Sequence, residues 1–265
     1  MFSVGGDGDD HAVYLSVAEE IGNGLSVSAD VELTTIGGAT NGGDNITLSG
    51  SFGSVGIGDV SGGLDSFGDY TDVSPQEGGF GMDGNDAFIT FKPSLEGPLS
   101  VAVSYSPDTT STGAASEHTA VGVAFDFAGG QVYAGQDIEV AGDNSDEVEI
   151  IAYGVKYTFN GVMVAYEAGT EKQTTGTTAE YDTNGFAVKY SLGDTTFTYE
   201  SQNISTDGGN DVTIAGKVEA VSESDENIFA ITQNLGGGLN VYVEASDDDK
   251  AADGDQTTLG IKYSF

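Results

Sequence analysis

A two-residue alternation of apolar and polar side chains runs through the chain and limits its fold more strongly than any other feature. In residues 25–33, LSVSADVEL, the odd positions are apolar and the even positions are small or acidic. The same alternation occurs in 99–106, LSVAVSYS, and in 239–245, LNVYVEA. Successive side chains of a strand point to opposite faces, so the pattern predicts antiparallel strands with one apolar and one polar face.

The connections between these segments alternate between short and long. Asn-Gly and Gly-rich turns, as at 22–24, 160–161 and 236–238, suit tight hairpins, and polar loops such as 61–84 lie between them. The predicted strands are 2–5, 11–19, 24–34, 45–51, 54–60, 86–92, 99–106, 117–127, 131–139, 147–159, 162–169, 180–192, 195–203, 227–234, 238–245 and 256–265. A meander with an even number of strands, and with short turns at one end of the strands and long loops at the other, is typical of a closed antiparallel transmembrane β-barrel, here of about 16 strands. Residues 1–265 are therefore predicted to form a single domain.

The charge of the chain is strongly negative. Asp and Glu number 43 against seven Lys and no Arg, and the formal net charge is −36. Such a chain is not expected to bind nucleic acid, because a phosphate backbone requires a basic surface. Two interpretations of the charge remain open: a solvated, salt-adapted surface, or carboxylates whose role depends on their position.

Catalytic and covalent features are missing from the sequence. There is no Cys, and the two histidines, His11 and His118, are far apart with no nucleophile elbow, phosphate loop or metal-ligand spacing nearby. We therefore predict that the protein is not an enzyme. No apolar stretch approaches 18 residues, which argues against a helical membrane span. No basic and apolar amino-terminal segment is present, so a signal peptide is expected to have been removed or left out.

Aromatic residues cluster near the short-turn ends of the predicted strands. These are Phe91, Phe127, Tyr157, Phe159, Tyr190, Tyr263 and Phe265. Outward-facing aromatics at a membrane interface would form half of an aromatic girdle. The alternative is that they fill the core of a β-sandwich.

Two segments carry a resemblance to a known family. Residues 50–60, GSFGSVGIGDV, form a predicted hairpin before the long loop 61–84, and the last strand, LGIKYSF, alternates and ends in Phe. With these features the chain resembles, over essentially its whole length, the general porins of Gram-negative bacteria, and most closely those of Rhodobacter-type alphaproteobacteria. The resemblance implies a bacterial outer-membrane location, a homotrimer, contacts with lipid and lipopolysaccharide, and an assembly signal at Tyr263 and Phe265.

The same resemblance implies that loop 61–84 folds into the barrel and narrows the pore. Seven acidic residues are then expected at the constriction: Asp59, Asp65, Asp69, Asp72, Glu77, Asp83 and Asp86. The alternative is that these residues are solvated acids on an external loop. Such porins usually oppose the acidic loop with an Arg cluster, which this chain lacks.

The predicted pore wall differs from the family pattern for this reason. On the early strands the predicted lumen face carries His11, Ser26, Ser28, Asp30 and Glu32, so the constriction is expected to be negative nearly all round. Four lysines fall at inward positions near the short-turn rim: Lys92, Lys156, Lys189 and Lys262. They either form a cationic collar below the constriction or pair with neighbouring carboxylates, and pairing is the favoured interpretation.

Carboxylates in a water-filled channel concentrate cations, so the predicted function is passive diffusion of small hydrophilic solutes with a preference for cations. No cofactor is required. Calcium is a candidate ligand of Asp65, Asp69 and Asp72, because it accepts several oxygen ligands, although no EF-hand spacing is present.

Two other classes of protein share parts of this pattern. A secreted calcium-binding β-solenoid would repeat a nonapeptide that residues 5–13, GGDGDDHAV, match once without a tandem copy. A surface β-sandwich adhesin would show alternating strands but would be soluble without detergent.

Overall fold

In the computed structural model of the protein, the described residues are 2–5, 12–34, 44–75, 87–107, 116–141, 147–174, 179–206, 223–248 and 256–263. This part of the chain consists of strands, turns and loops, and it contains no helix long and apolar enough to cross a membrane. The strands are β1 (Phe2–Gly5), β2 (Ala12–Gly22), β3 (Leu25–Thr34), β4 (Asn45–Gly50), β5 (Gly53–Val60), β6 (Ala87–Pro93), β7 (Leu99–Ser106), β8 (Ser116–Phe127), β9 (Gly130–Ala141), β10 (Glu147–Phe159), β11 (Val162–Gln173), β12 (Glu180–Leu192), β13 (Thr195–Thr206), β14 (Ser224–Gly236), β15 (Leu239–Asp248) and β16 (Gln256–Tyr263).

All strands belong to one antiparallel sheet, in which each strand pairs with its neighbours in chain order. The short turns have the backbone that their residues favour. Between β10 and β11, Asn160 and Gly161 both have positive φ, 51° and 80°, as the tight hairpin turns that match strand twist require. The observed strand bounds differ from the predicted ones by four residues at most.

Closure of the sheet is predicted from the sequence, but it is not observed among the described residues. Pairing runs from β1 to β16, and among the described residues no pairing joins β16 to β1, so the described strands form an open sheet. Strand β1 has four residues, whereas the other fifteen strands have six to thirteen. The prediction of a closed barrel of about 16 strands, with a truncated first strand at 2–5, is corrected to an open sheet of fifteen longer strands and one short edge segment among the described residues. A four-residue edge offers few ladder hydrogen bonds to hold a seam.

The two faces of the sheet differ as the alternation predicts. In β10, Ile151, Tyr153 and Val155 are exposed, while Ala152 and Gly154 between them are buried. Of the aromatics near the short turns, Phe91, Phe127, Tyr157, Phe159, Tyr190 and Tyr263 are all exposed, and Phe265 lies outside the described residues. Phe127 and Tyr157 stack on this outer face with ring centroids 6.1 Å apart. The aromatics therefore do not fill a sandwich core.

Candidate functional site

Residues 61–75, here called the inner loop, lie against the face of the sheet that carries small and polar side chains. At its start, the Thr90 hydroxyl donates a 2.7 Å hydrogen bond to the Ser61 carbonyl. The Gly63 amide donates to the Ser104 hydroxyl at 2.8 Å, and the Leu64 side chain is fully buried. The loop thus leaves β5 and passes over β6 and β7 instead of extending away from the sheet.

Glycines on β8 and β9 make room for this close approach. A Cβ at Gly122 would lie 2.1 Å from the Gly63 carbonyl oxygen, and one at Gly135 would lie 2.7 Å from the Leu64 side chain. A side chain at Gly122 would require the backbone of the loop to move, and one at Gly135 would require the Leu64 side chain to shift. The inner loop therefore packs directly on the backbone of these two strands.

Tyr70 anchors the middle of the inner loop. Its ring meets Tyr133 edge to face with centroids 4.8 Å apart, the Lys156 ammonium lies 4.0 Å above the ring, and its hydroxyl donates to the Gln131 side chain. Burial, reinforced by the negative charges of Glu167 and Asp126, raises the pKa of the Tyr70 hydroxyl above its usual value. The hydroxyl therefore remains a neutral donor at physiological pH.

Two buried carboxylates on the wall hold the tip of the loop. One oxygen of Glu167 accepts hydrogen bonds from the Thr71 amide at 2.9 Å and from the Thr71 hydroxyl at 2.8 Å. The other oxygen accepts from the Tyr133 hydroxyl at 2.7 Å. Further along, Glu200 accepts from the Val73 amide at 2.6 Å. These hydrogen bonds join backbone amides of the loop to buried side chains of the wall, so Glu167 and Glu200 fix the loop tip over β11 and β13.

The path of the inner loop shows that the sheet is strongly curved around it. The first residue of the loop, Ser61, contacts β6. The last residues of the loop, Val73 to Pro75, line one cavity with Lys262 of β16. Neighbouring strands lie about 4.8 Å apart, so β6 and β16 would be separated by roughly 48 Å in a flat sheet. A segment of about fifteen residues could span that distance only if it were fully extended. The loop is not extended, because Ser66 and Phe67 donate turn hydrogen bonds to Gly62 and Leu64. The inner loop therefore lies on a concave face.

The predicted constriction residues divide into described and undescribed sets. Asp65 is half-buried, and Asp69 and Asp72 are exposed, all three on the inner loop. Asp72 is an electrostatic neighbour of Glu200, as is Glu244 of β15. Asp59 is exposed near the end of β5 and shares a cavity with Lys92. Glu77, Asp83 and Asp86 lie outside the described residues.

The described part of the chain contains no group of three or more His, Asp or Glu side chains arranged to hold a metal ion. Asp65, Asp69 and Asp72 all belong to this part. Calcium binding by these three residues therefore stays a prediction from the sequence, without a cluster of ligands among the described residues to support it.

The lysine interpretation also needs correction. Salt bridges among the described residues are Lys172 to Glu180 at 2.6 Å and His118 to Glu139 at 3.8 Å, so the predicted pairing of the four rim lysines with carboxylates is not observed there. Lys156 lies on the Tyr70 ring instead. Lys92, Lys189 and Lys262 line cavities on the concave face.

The remaining predicted positions are on strands. Asp30 is half-buried on β3, where it pairs in register with Asn45 of β4. Glu32 belongs to β3, but its side chain lies outside what the structure describes. Tyr263, predicted as part of the assembly signal, is exposed at the end of β16.

Sequence reasoning missed the acidic residues of the wall. Glu167, Glu200 and Glu244 are buried, with relative exposures of 2%, 6% and 3%. A signal for them exists in the alternation, because Ala165 and Glu167 share the face opposite Val164 and Tyr166. What the alternation cannot indicate is which inward carboxylates meet the loop.

A curved antiparallel sheet with an apolar outer face, a polar concave face and a loop packed along its inside defines the class of membrane channel proteins built from strands. The comparisons with known proteins place the chain within this class. It belongs to the Gram-negative porin family, whose model matches residues 3–253. Family membership assigns it to the bacterial outer membrane as a channel-forming porin.

Solved structures agree on the fold. A porin refined at 1.8 Å resolution superposes with a TM-score of 0.75 and 17% sequence identity, covering 96% of this chain and 92% of that one. Salmonella typhi OmpF, in complex with daunomycin, gives a TM-score of 0.73 at 15% identity, covering 100% and 94%. A mutant of the Rh. blastica porin gives 0.65 at 15% identity, covering 97% and 90%. No curated protein matches the sequence significantly.

Proposed function

We propose that the protein forms a water-filled channel for the passive diffusion of small hydrophilic solutes, that the inner loop sets its narrowest width, and that it prefers cations. The observation that carries this proposal is the attachment of the loop tip across the concave face by Glu167 and Glu200. A loop held there occupies space that a solute would otherwise cross. Its polar backbone groups find partners on the wall, as irregular backbone at membrane depth requires.

The preference for cations is argued from the charges around the loop. Asp69 and Asp72 are exposed on the loop, and Glu200 and Glu244 lie near Asp72 on the wall. The sequence has no Arg to oppose them. Among the described residues Lys156 lies on the Tyr70 ring of the loop, and Lys92, Lys189 and Lys262 line cavities at the two ends of the loop. Carboxylates around a narrow aqueous path attract cations and repel anions.

The proposal includes closure of the sheet in the membrane. An unpaired edge of β1 or β16 would expose backbone N–H and C=O groups to hydrocarbon, at a cost of several kcal/mol for each group. Pairing between the two edges removes that cost. The exposed outer face would then contact lipid and the outer leaflet lipopolysaccharide. We also propose a homotrimer, since a structural neighbour, OmpT of Vibrio cholerae, is described in a trimer form.

The reversal potential of the reconstituted channel in a salt gradient tests the electrostatic part. The wild type is expected to be cation-selective, and Asp69→Asn with Asp72→Asn is expected to reduce that selectivity. Asp194→Asn, in the exposed short turn between β12 and β13, is the control and should leave it nearly unchanged. Anion selectivity of the wild type would overturn the proposed preference, and failure to form channels in a bilayer would overturn the proposed function itself.

A further inference from the structure

A second cavity lies at the far side of the inner loop and is built by five successive strands. Its volume is about 340 Å³, and its lining runs from β12 to β16. The lining residues are cross-strand neighbours: Lys189 pairs in register with Thr198, and Asn240 pairs with Lys262. Val73, Ser74 and Pro75 of the inner loop cover one side. We call this cavity the lysine chamber.

The lysine chamber offers hydrogen-bond donors and positive charge. Besides Lys189 and Lys262, the lining includes Thr196, Thr232 and Tyr242, whose side chains carry hydroxyl groups. None of the described residues that line it is acidic, although the chain contains 43 Asp and Glu. Within the described part of the chain, the salt bridges do not involve Lys189 or Lys262. The two lysines therefore line one cavity together with residues that carry neutral side chains.

The tip of the inner loop separates this positive chamber from the wall carboxylates. Glu200 follows Thr198 on the same face of β13 and accepts the Val73 amide at 2.6 Å. Lys189 and Lys262 lie closer to the short turns, four residues before Gly193 and near the end of β16. Charge along the path is thus divided, with carboxylates at the loop and ammonium groups below it.

We propose that the lysine chamber is a binding subsite for small solutes that carry an oxyanion, either a phosphate or a carboxylate group. The proposal rests on the proposed channel function, because a solute must enter the concave face to reach the chamber. Ammonium groups act as point-charge donors to phosphate and carboxylate oxygens, and the hydroxyls add directional hydrogen bonds. A channel that attracts cations at its loop therefore retains anionic groups below it.

Single-channel current in sodium chloride, with inorganic phosphate and acetate added in separate arms, tests the subsite. Phosphate, acetate or both are expected to reduce the wild-type current in a saturable manner. The double variant Lys189→Gln with Lys262→Gln is expected to raise the half-blocking concentration by about tenfold, since each exposed ionic contact contributes a few-fold in affinity. Lys172→Gln is the matched control, because Lys172 pairs with Glu180 near a long loop, away from the chamber.

Each outcome of this experiment has a distinct meaning. Block by phosphate alone, lost in the double variant, assigns the subsite to phosphate groups, and block by acetate alone assigns it to carboxylates. Equal block in the wild type and the double variant, or no saturable block by either anion, overturns the subsite while leaving the channel intact. If the double variant does not fold, Lys189→Gln and Lys262→Gln singly must each weaken block more than Lys172→Gln does.

Discussion

Removing the Glu167 carboxylate is expected to release the tip of the inner loop and widen the channel. This side chain is 2% exposed and accepts two hydrogen bonds from Thr71 and one from Tyr133. In Glu167→Ala, the Thr71 amide loses its acceptor while it is still surrounded by protein. A buried donor without a partner is unfavourable, so the tip is expected to leave the wall and seek water.

The size of the effect follows from the number of bonds between loop and wall that are lost. A hydrogen bond to a charged group contributes about 1.5–3 kcal/mol, so the two bonds from Thr71 contribute about 3–6 kcal/mol. Every 1.4 kcal/mol corresponds to a tenfold change in an equilibrium constant, so the lower figure shifts loop docking by roughly a hundredfold. The base of the loop keeps its bonds to Ser104 and Thr90, so the sheet itself should remain folded.

Single-channel conductance and the size limit for uncharged sugars measure this release. Both are expected to rise in Glu167→Ala. Glu171→Ala is the matched control, because Glu171 is buried on the same face of the same strand but accepts a hydrogen bond from Tyr181 of β12. The conductance of Glu167→Gln should lie between those of the wild type and Glu167→Ala. The new side-chain carbonyl can still accept a hydrogen bond from Thr71, while its amide donates to the Tyr133 hydroxyl. Unchanged conductance in Glu167→Ala, or an equal rise in Glu171→Ala, would refute the reasoning.

Two further substitutions test the faces of the sheet. Gly122→Leu places a side chain where a Cβ already lies 2.1 Å from the Gly63 carbonyl oxygen, so it should displace the loop base and raise conductance. Ala134→Leu lies on the exposed face of β9 and should leave the conductance unchanged. Equal conductances of Gly122→Leu and Ala134→Leu would contradict the packing of the loop on Gly122. Tyr153→Arg places a charge on the exposed outer face of β10 and should destabilise the folded protein in lipid by about 2–4 kcal/mol in urea titrations. Tyr153→Phe should cost far less, and equal stability of both variants would argue against lipid contact at this face.

The sequence by itself was sufficient for the strands, their order and their two faces. Alternation such as that of Val121, Gly122, Val123 and Ala124 is a local property of neighbouring residues, and a strand converts it directly into two faces. Short Asn-Gly turns are equally local, because the residue type sets the permitted backbone angles. For this reason the predicted and observed strand bounds nearly coincide.

Tertiary structure alone decided how the concave face is used. Glu167 lies 96 positions after Thr71 and Glu200 lies 127 after Val73, and no local pattern indicates which inward carboxylate meets which loop amide. The fate of the lysines is likewise non-local: Lys156 meets the Tyr70 ring, while Lys189 and Lys262, from strands far apart in sequence, come to line one chamber. Curvature of the sheet around the inner loop creates these contacts. Curvature depends on the whole set of strand registers and not on any single strand.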